Sequence, residues 1–369
     1  MKYIKPDYYD DFQCIAGACP ATCCAGWQVV VDDESLERYR MVEGEFGKRL
    51  QNEIDWEEGI FLQNGRRCCF LNENHLCDLQ SELGKNFLCE TCQSYPRHIE
   101  EFEGQREYSL SLSCPVAAEL IFANKNNGKF VEWEDEIEED EFGMMNLLLF
   151  TQLEDAREKI YQILNKKEIP FLVRLEMILK LSGAIQKCVN EERFFDVDGV
   201  LEHALEYPQE CLGVSSYEKK TKYFIVLLKL ELLDESWGEL LLLTWERLYE
   251  KGECEYQKIY NEFQESYGKY SENEKKWEQI GRQLVTFFIY TYFCGAVYDE
   301  WIYSKAALAV FSVLMIQEFL MARWLEQGQL TKRDISEVAR RYAREVEHSE
   351  ENLELLEDWL MLQYAGHKK

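Results

Sequence analysis

From about residue 144 onward, apolar positions recur three and four residues apart. Leu149, Leu153, Ala156, Ile160 and Ile163 or Leu164 form one stripe, the spacing of a helix that buries a single face. Pro170 is placed to open the next helix, where its missing N–H costs nothing. Phe171, Leu172, Leu175, Ile178, Leu179 and Ile185 continue that helix. Similar spacing predicts helices over Lys222–Leu233, Glu239–Glu250, Trp277–Tyr298 and Lys305–Leu325. Thr331 with Asp334 reads as an N-cap and first turn before Ile335, Val338 and Tyr342. Ser349 is placed to cap a last helix carrying Leu353, Leu356 and Leu360.

The first third is less regular. Val29-Val30-Val31 reads as a short strand, and Cys89–Cys92 and Val116–Asn124 as helical. No strand–glycine–helix alternation and no short repeat occur. The pattern predicts a mainly α protein. An irregular cysteine-rich metal-binding domain, residues 1–135, packs on an all-helical domain, residues 136–369. The boundary falls in the acidic run Glu132–Glu141, read as a linker or an exposed helix start.

Composition sharpens this picture. With 369 residues, 46% apolar, and only 6 prolines and 20 glycines, the chain is globular and built of long uninterrupted elements. A formal charge of −28 repels nucleic-acid phosphates, so no nucleic-acid partner is expected. The same acidity keeps a protein soluble, or draws in a cationic group such as a lysine side chain. The acidic start has no apolar export segment, which predicts a reducing, cytoplasmic setting. The apolar stretches 284–298 and 306–316 fall short of the roughly 18 residues that span a bilayer. They read as core helices, without membrane insertion.

In a reducing compartment, clustered cysteines are metal ligands or catalysts more often than disulfides. Of the 14 cysteines, ten precede residue 115, while Cys188, Cys211, Cys254 and Cys294 are scattered and read as small buried apolar residues. The ten form four groups: Cys14, Cys19, Cys23 and Cys24; Cys68 and Cys69; Cys77, Cys89 and Cys92; and Cys114. Four thiolates suit a tetrahedral zinc ion or an iron–sulfur cluster. Only Cys89-x2-Cys92 has knuckle spacing, so the paired knuckles of a zinc ribbon are absent. Spacing alone leaves the metal open. His75 and His98 lie near enough in sequence to be ligands. Arg97, after Pro96, is placed either to fork a carboxylate or phosphate or to form a structural salt bridge. No glycine-rich dinucleotide fingerprint, P-loop or nucleophile elbow is present.

These motifs resemble the flagellin lysine N-methylases. The resemblance is carried by Phe12-Gln13-Cys14, Cys19, Thr22-Cys23-Cys24-Ala25-Gly26-Trp27, Arg67-Cys68-Cys69-Phe70-Leu71, Leu76-Cys77, Gly84, Thr91-Cys92-Gln93-Ser94-Tyr95-Pro96-Arg97 and Ser111-Leu112-Ser113-Cys114-Pro115. It extends more loosely to Tyr290–Phe293, Tyr298-Asp299 and Glu347-His348-Ser349 through Asn352. It implies Cys14, Cys19, Cys23, Cys24, Cys68, Cys77, Cys92 and Cys114 as the metal cysteines, leaving Cys69 and Cys89 aside. That tilts the metal toward an iron–sulfur cluster, 4Fe–4S, with zinc as the alternative. It further implies methyl transfer from S-adenosylmethionine to lysines of flagellin. The competing reading is a non-enzymatic zinc or iron–sulfur module that binds a protein partner.

Lysine must lose a proton before it attacks a methyl sulfonium, and its ordinary pKa is about 10.4. A carboxylate beside it raises that value further, whereas burial lowers it. An aromatic channel at the reacting nitrogen, with acidic groups further out, is therefore expected. No general base is legible in the sequence.

Overall fold

The computed structural model describes residues 1–123, 129–136, 145–206, 213–267 and 277–366. It is mainly helical. The helix Ile302–Gln327 runs through the centre, buried from Ala306 to Ala322. Around it pack Phe171–Asn190, Glu235–Leu248, Trp277–Tyr292, Lys332–Glu347 and Glu350–Gly366. By length and composition Ile302–Gln327 could cross a membrane, yet 94% of its apolar window is covered by the rest of the chain. It is hydrophobic all round because it is surrounded by other helices.

Helix starts follow local chemistry. Thr331 and Asp334 form a reciprocal capping box, each side chain taking the other's backbone N–H. Asn146, Ser216 and Asp234 cap Leu147–Asn165, Tyr217–Leu227 and Glu235–Leu248. Ser349 Oγ accepts from the N–H of Asn352 at 3.2 Å. The helix expected over Trp277–Tyr298 is broken after Tyr292 by a 3₁₀ turn, Phe293–Gly295, before a short piece, Ala296–Asp299. The helices Asp33–Arg40, Gly44–Glu53 and Glu253–Tyr267 were not expected.

A four-stranded sheet was also not expected. Its order is Arg97–Phe102, Gln105–Leu110, Lys2–Pro6 and Phe130–Glu134. Lys2–Pro6 runs parallel to Gln105–Leu110 and antiparallel to Phe130–Glu134. Glu132–Glu134, read above as a linker or an exposed helix start, are thus an edge of this sheet; residues 137–141 of that run lie outside the described residues. The sheet meets the helices through polar groups. Glu107 is buried and takes two 2.6 Å hydrogen bonds from Arg157 on Leu147–Asn165. Tyr290 donates its hydroxyl, shared between the carbonyls of Ile4 and Tyr108, each at 3.1 Å. Phe102, Leu112, Ile121 and Phe122 join the helices' own core.

Val29–Val31 is extended but joins its neighbour by a single bridge, Val30 to Ile60. Val29 and Val31 turn inward with Leu36, Tyr39, Leu50, Phe61, Phe70, Leu79 and Leu88 to make a separate small core beneath the cysteines. Two short helices follow cysteines: Asp78–Leu83 after Cys77, and Glu90–Ser94 after Cys89. The longer Pro115–Ala123 follows Cys114.

Candidate active site beside a cysteine-lined cavity

Six of the expected metal cysteines, Cys14, Cys23, Cys24, Cys68, Cys77 and Cys92, line one cavity of about 320 Å³. Cys19 and Cys114 do not line it but lie near Cys14. Cys69 and Cys89 stay out of the cavity: Cys69 Sγ donates to the carbonyl of Glu53 at 3.4 Å, and Cys89 is fully buried against the Val30 carbonyl. Each of these two thiols is nonetheless hydrogen-bonded to a pattern cysteine, Cys69 to Cys68 and Cys89 to Cys92. All described cysteines are free thiols. Cys188 and Cys294 are buried, whereas Cys254 is exposed at the start of Glu253–Tyr267, against expectation; Cys211 lies outside the described residues.

Backbone N–H groups partly offset the cost of charge on several of these buried sulfurs. Burial raises Cys77 to about 11, opposed by the N–H groups of Gln80 and Leu79 at the start of the helix it caps. Burial likewise raises Cys114, against the N–H groups of Ala117 and Val116. N–H groups at a helix start favour thiolate over thiol. Cys24 is lowered to about 7, chiefly by a hydrogen bond from Cys23, then by the Thr22 hydroxyl and the Arg67 charge. Among the described residues no three His, Cys, Asp or Glu side chains converge on a single-ion site. The donor set nonetheless fits an iron–sulfur cluster: soft sulfurs, dispersed round a cavity larger than a bare ion, with N–H donors aimed at them. His75 lies on an exposed turn and His98 pairs with Glu100 at 3.2 Å; neither lines the cysteine cavity.

The Thr22–Trp27 loop is fixed by what it touches. The indole N–H of Trp27 donates to the Cys23 carbonyl at 2.7 Å. Gly26 has φ +90°, and a Cβ there would lie 2.6 Å from a guanidinium nitrogen of Arg344. The positive φ favours glycine, and any Cβ there would push the end of the Arg344 side chain aside.

A second cavity, of about 380 Å³, shares Trp27, Thr91, Tyr95 and Arg97 with the first. Its aromatic walls are Trp27, Tyr95, Phe287 and Tyr292. Glu347 and His348 reach it from the end of Lys332–Glu347. Glu347 Oε2 accepts from the Ser111 hydroxyl at 3.4 Å, while Oε1 is shut from solvent without a hydrogen-bond partner of ordinary geometry. Burial raises Glu347 to about 8, partly offset by Ser111 and Tyr292. Burial and the Arg344 charge lower His348 to about 3, so its ring is neutral. That ring stands edge-on to Trp27 at 3.8 Å between centroids. Thr291 Oγ1 is another buried oxygen without a partner.

Arg97 sits on the rim of both cavities. Its guanidinium lies 4.9 Å from the ring of Phe12 and 5.9 Å from that of Tyr9, and it forms no salt bridge among the described residues. Glu347, His348, Tyr292 and Thr291 escaped the sequence reading as site residues. Their signal was the looser part of the family resemblance, Tyr290–Phe293 and Glu347-His348, which assigned them no role.

A sequence profile for the FliB lysine N-methylase C-terminal domain matches residues 157–365, more than half of the chain. Over 126 residues the chain is 28% identical to flagellar biosynthetic protein FliU of Salmonella muenchen, covering 32% of this chain and 75% of that protein. It is 28% identical, again over 126 residues, to two proteins named lysine-N-methylase, from Salmonella choleraesuis and Salmonella typhimurium. The chain spans only 31% of the length of each of those two. No solved structure matches. On the profile match across its helical region, the chain belongs to the FliB lysine N-methylase family.

Proposed function

We propose that this chain is a protein-lysine N-methyltransferase that uses S-adenosylmethionine, acts on flagellin, and holds a 4Fe–4S cluster through its N-terminal cysteines. The carrying observation is the aromatic pocket ending at Glu347, which shares a wall with the cysteine-lined cavity. Flagellin as substrate rests on the family and on the flagellar name of one relative. The free thiols of the described cysteines suit a reducing compartment such as the cytoplasm.

A lysine side chain entering between Trp27, Tyr95, Phe287 and Tyr292 loses hydration, which favours the free amine. The ring faces attract the cationic fraction. Glu347 accepts the proton; held near 8, it is closer to lysine in proton affinity than an ordinary carboxylate. The amine lone pair attacks the methyl carbon. The carbon–sulfur bond breaks, its electron pair stays on sulfur, and S-adenosylhomocysteine leaves. Arg97, on the shared rim and without an ion-pair partner among the described residues, is placed to fork the carboxylate of the methyl donor. A bound cluster would be held by no more than four of Cys14, Cys19, Cys23, Cys24, Cys68, Cys77, Cys92 and Cys114, and with an iron left free of cysteine it would supply a redox-active Lewis-acidic surface beside the donor.

The test is calorimetric titration of S-adenosylmethionine into the full chain, purified without oxygen. Binding that weakens at least tenfold in Arg97→Ala supports the reading. No binding by metal-replete wild type removes it. Colourless protein holding stoichiometric zinc would instead favour the structural, partner-binding module.

A further inference from the structure

We propose that the free edge of the strand Arg97–Phe102 docks an extended segment of the substrate protein as a fifth strand, setting its target lysine opposite His98. The docking edge and the aromatic pocket are then one continuous site. The inference rests on the methyltransferase reading above and adds how the substrate chain is held.

The register shows which backbone groups are free. Arg97–Phe102 is the outermost strand of its sheet, paired only with Gln105–Leu110 among the described residues. Phe102 and Gln105 close the hairpin, and the Ser111 N–H donates to the Pro96 carbonyl at 2.7 Å. Backbone bonding alternates from residue to residue along an antiparallel pair. The N–H and C=O of His98 and Glu100 therefore point inward to the neighbouring strand, and those of Arg97, Ile99 and Glu101 point outward. The Glu101 carbonyl is capped by the Tyr298 hydroxyl. Arg97 and Ile99 keep their outward N–H and C=O groups with no backbone partner among the described residues. Both are exposed, and Ile99 leaves an apolar side chain open on that edge. Unpaired edge groups are a template for another extended chain.

The pocket adjoins this edge and not the opposite one. His98 and its cross-strand partner Ser109 both line it, with Pro96 and Arg97, whereas the far edge strand, Phe130–Glu134, contributes no residue to it. Side chains alternate between the faces of a sheet, so a residue paired opposite His98 shares the His98 face and points toward the pocket. On the outer side of the strand His98 makes no backbone bonds, and opposed side chains of an antiparallel pair come closest at such positions. Charge also fits a lysine there. Glu100 shares the His98 face, 3.2 Å from His98, and its Oε1 lies 3.9 Å from the Cβ position of Gly295, in the turn that follows Tyr292. A carboxylate beside the path draws in an ammonium group. Glu100 does not itself line the pocket, so it attracts the lysine without holding the proton on at the reacting end.

The test compares wild type with Ile99→Pro and Ile99→Ala, each as the full chain with intact metal, on monomeric flagellin from the same organism. Proline at position 99 removes only an outward N–H, which an edge strand tolerates, and circular dichroism checks the fold. Ile99→Pro should raise KM for flagellin about tenfold or more, with kcat and S-adenosylmethionine affinity unchanged. Ile99→Ala keeps the N–H and should restore most of that loss. Hydrogen exchange on the wild type needs no variant: the Arg97 and Ile99 amides should slow at saturating flagellin. Active wild type with KM unaltered in Ile99→Pro, or no slowing of those amides, overturns the docking and leaves the methyltransferase reading intact. A wild type that sediments as a dimer, and turns monomeric in Ile99→Pro, gives the edge to a second copy and likewise overturns it. Metal-replete wild type that leaves flagellin unmodified overturns both.

Discussion

His348 Nε2 lies 2.5 Å from Ser113 Oγ, although 235 residues separate them. Ser113 adjoins Cys114, and His348 follows Glu347, so this contact joins the cysteine region to the aromatic pocket. Ser113 also bonds Tyr95 at 2.9 Å and Ser111 at 2.7 Å, and Ser111 reaches Glu347. His348→Ala removes the ring that stands against Trp27 and should raise KM for a lysine substrate about tenfold or more. Iron content should stay unchanged. His348→Asn, which keeps a hydrogen-bonding group, should recover part of the loss.

Glu347 gives a pH signature with a definite sign. Its carboxyl is raised from 4.5 to about 8 by burial. Between these values the folded chain holds a proton that the unfolded chain has lost, so stability falls as pH rises through that window. Glu347→Gln removes this penalty. The difference in Tm, variant minus wild type, should therefore grow from acid pH to alkaline pH. Methyl transfer should lose its rise toward pH of about 8, with a rate lowered on the order of 100-fold. An unchanged pH profile in the variant would exclude Glu347 as the proton acceptor.

Gly26→Ala combines an unfavourable positive φ with a clash against Arg344. It should cost about 1–3 kcal/mol of stability and reduce metal retention. Gly26→Ala/Arg344→Ala removes the clash but not the φ cost, so it should be more stable than the sum of the two single changes predicts. Denaturant unfolding of the four proteins checks this coupling.

Away from the site, Lys220 and Glu318 form a fully buried ion pair at 2.8 Å, and Glu318 also accepts from Tyr249 and Tyr256. Lys220→Met strands the carboxylate and should destabilise the helical core by about 3–5 kcal/mol. Iron content per folded chain should be unaffected, which separates core damage from site damage.

Much of the helical part was legible because its faces are striped: Leu149 to Leu164 and Phe171 to Ile185 fall where the spacing placed them. The sheet was not, because Gln105–Leu110 turns Gln105, Glu107 and Ser109 inward. Arg157 satisfies Glu107 from a helix 50 residues away, so the strand shows no apolar alternation. The family pattern picked out the eight cysteines, but that six of them line one cavity needed the tertiary frame. Trp27, Tyr95, Tyr292 and Glu347 all fall in family motifs, but their convergence on one pocket was not legible, because they come from four distant segments and Glu347 acquires its character only when buried.

The most direct test of the central claim is mass spectrometry of flagellin from the same organism, incubated with anaerobically purified full-length chain and S-adenosylmethionine. The account predicts methyl groups on flagellin lysines, strongly reduced with Glu347→Gln and dependent on intact metal. Metal-replete wild type that leaves flagellin lysines unmodified would contradict it.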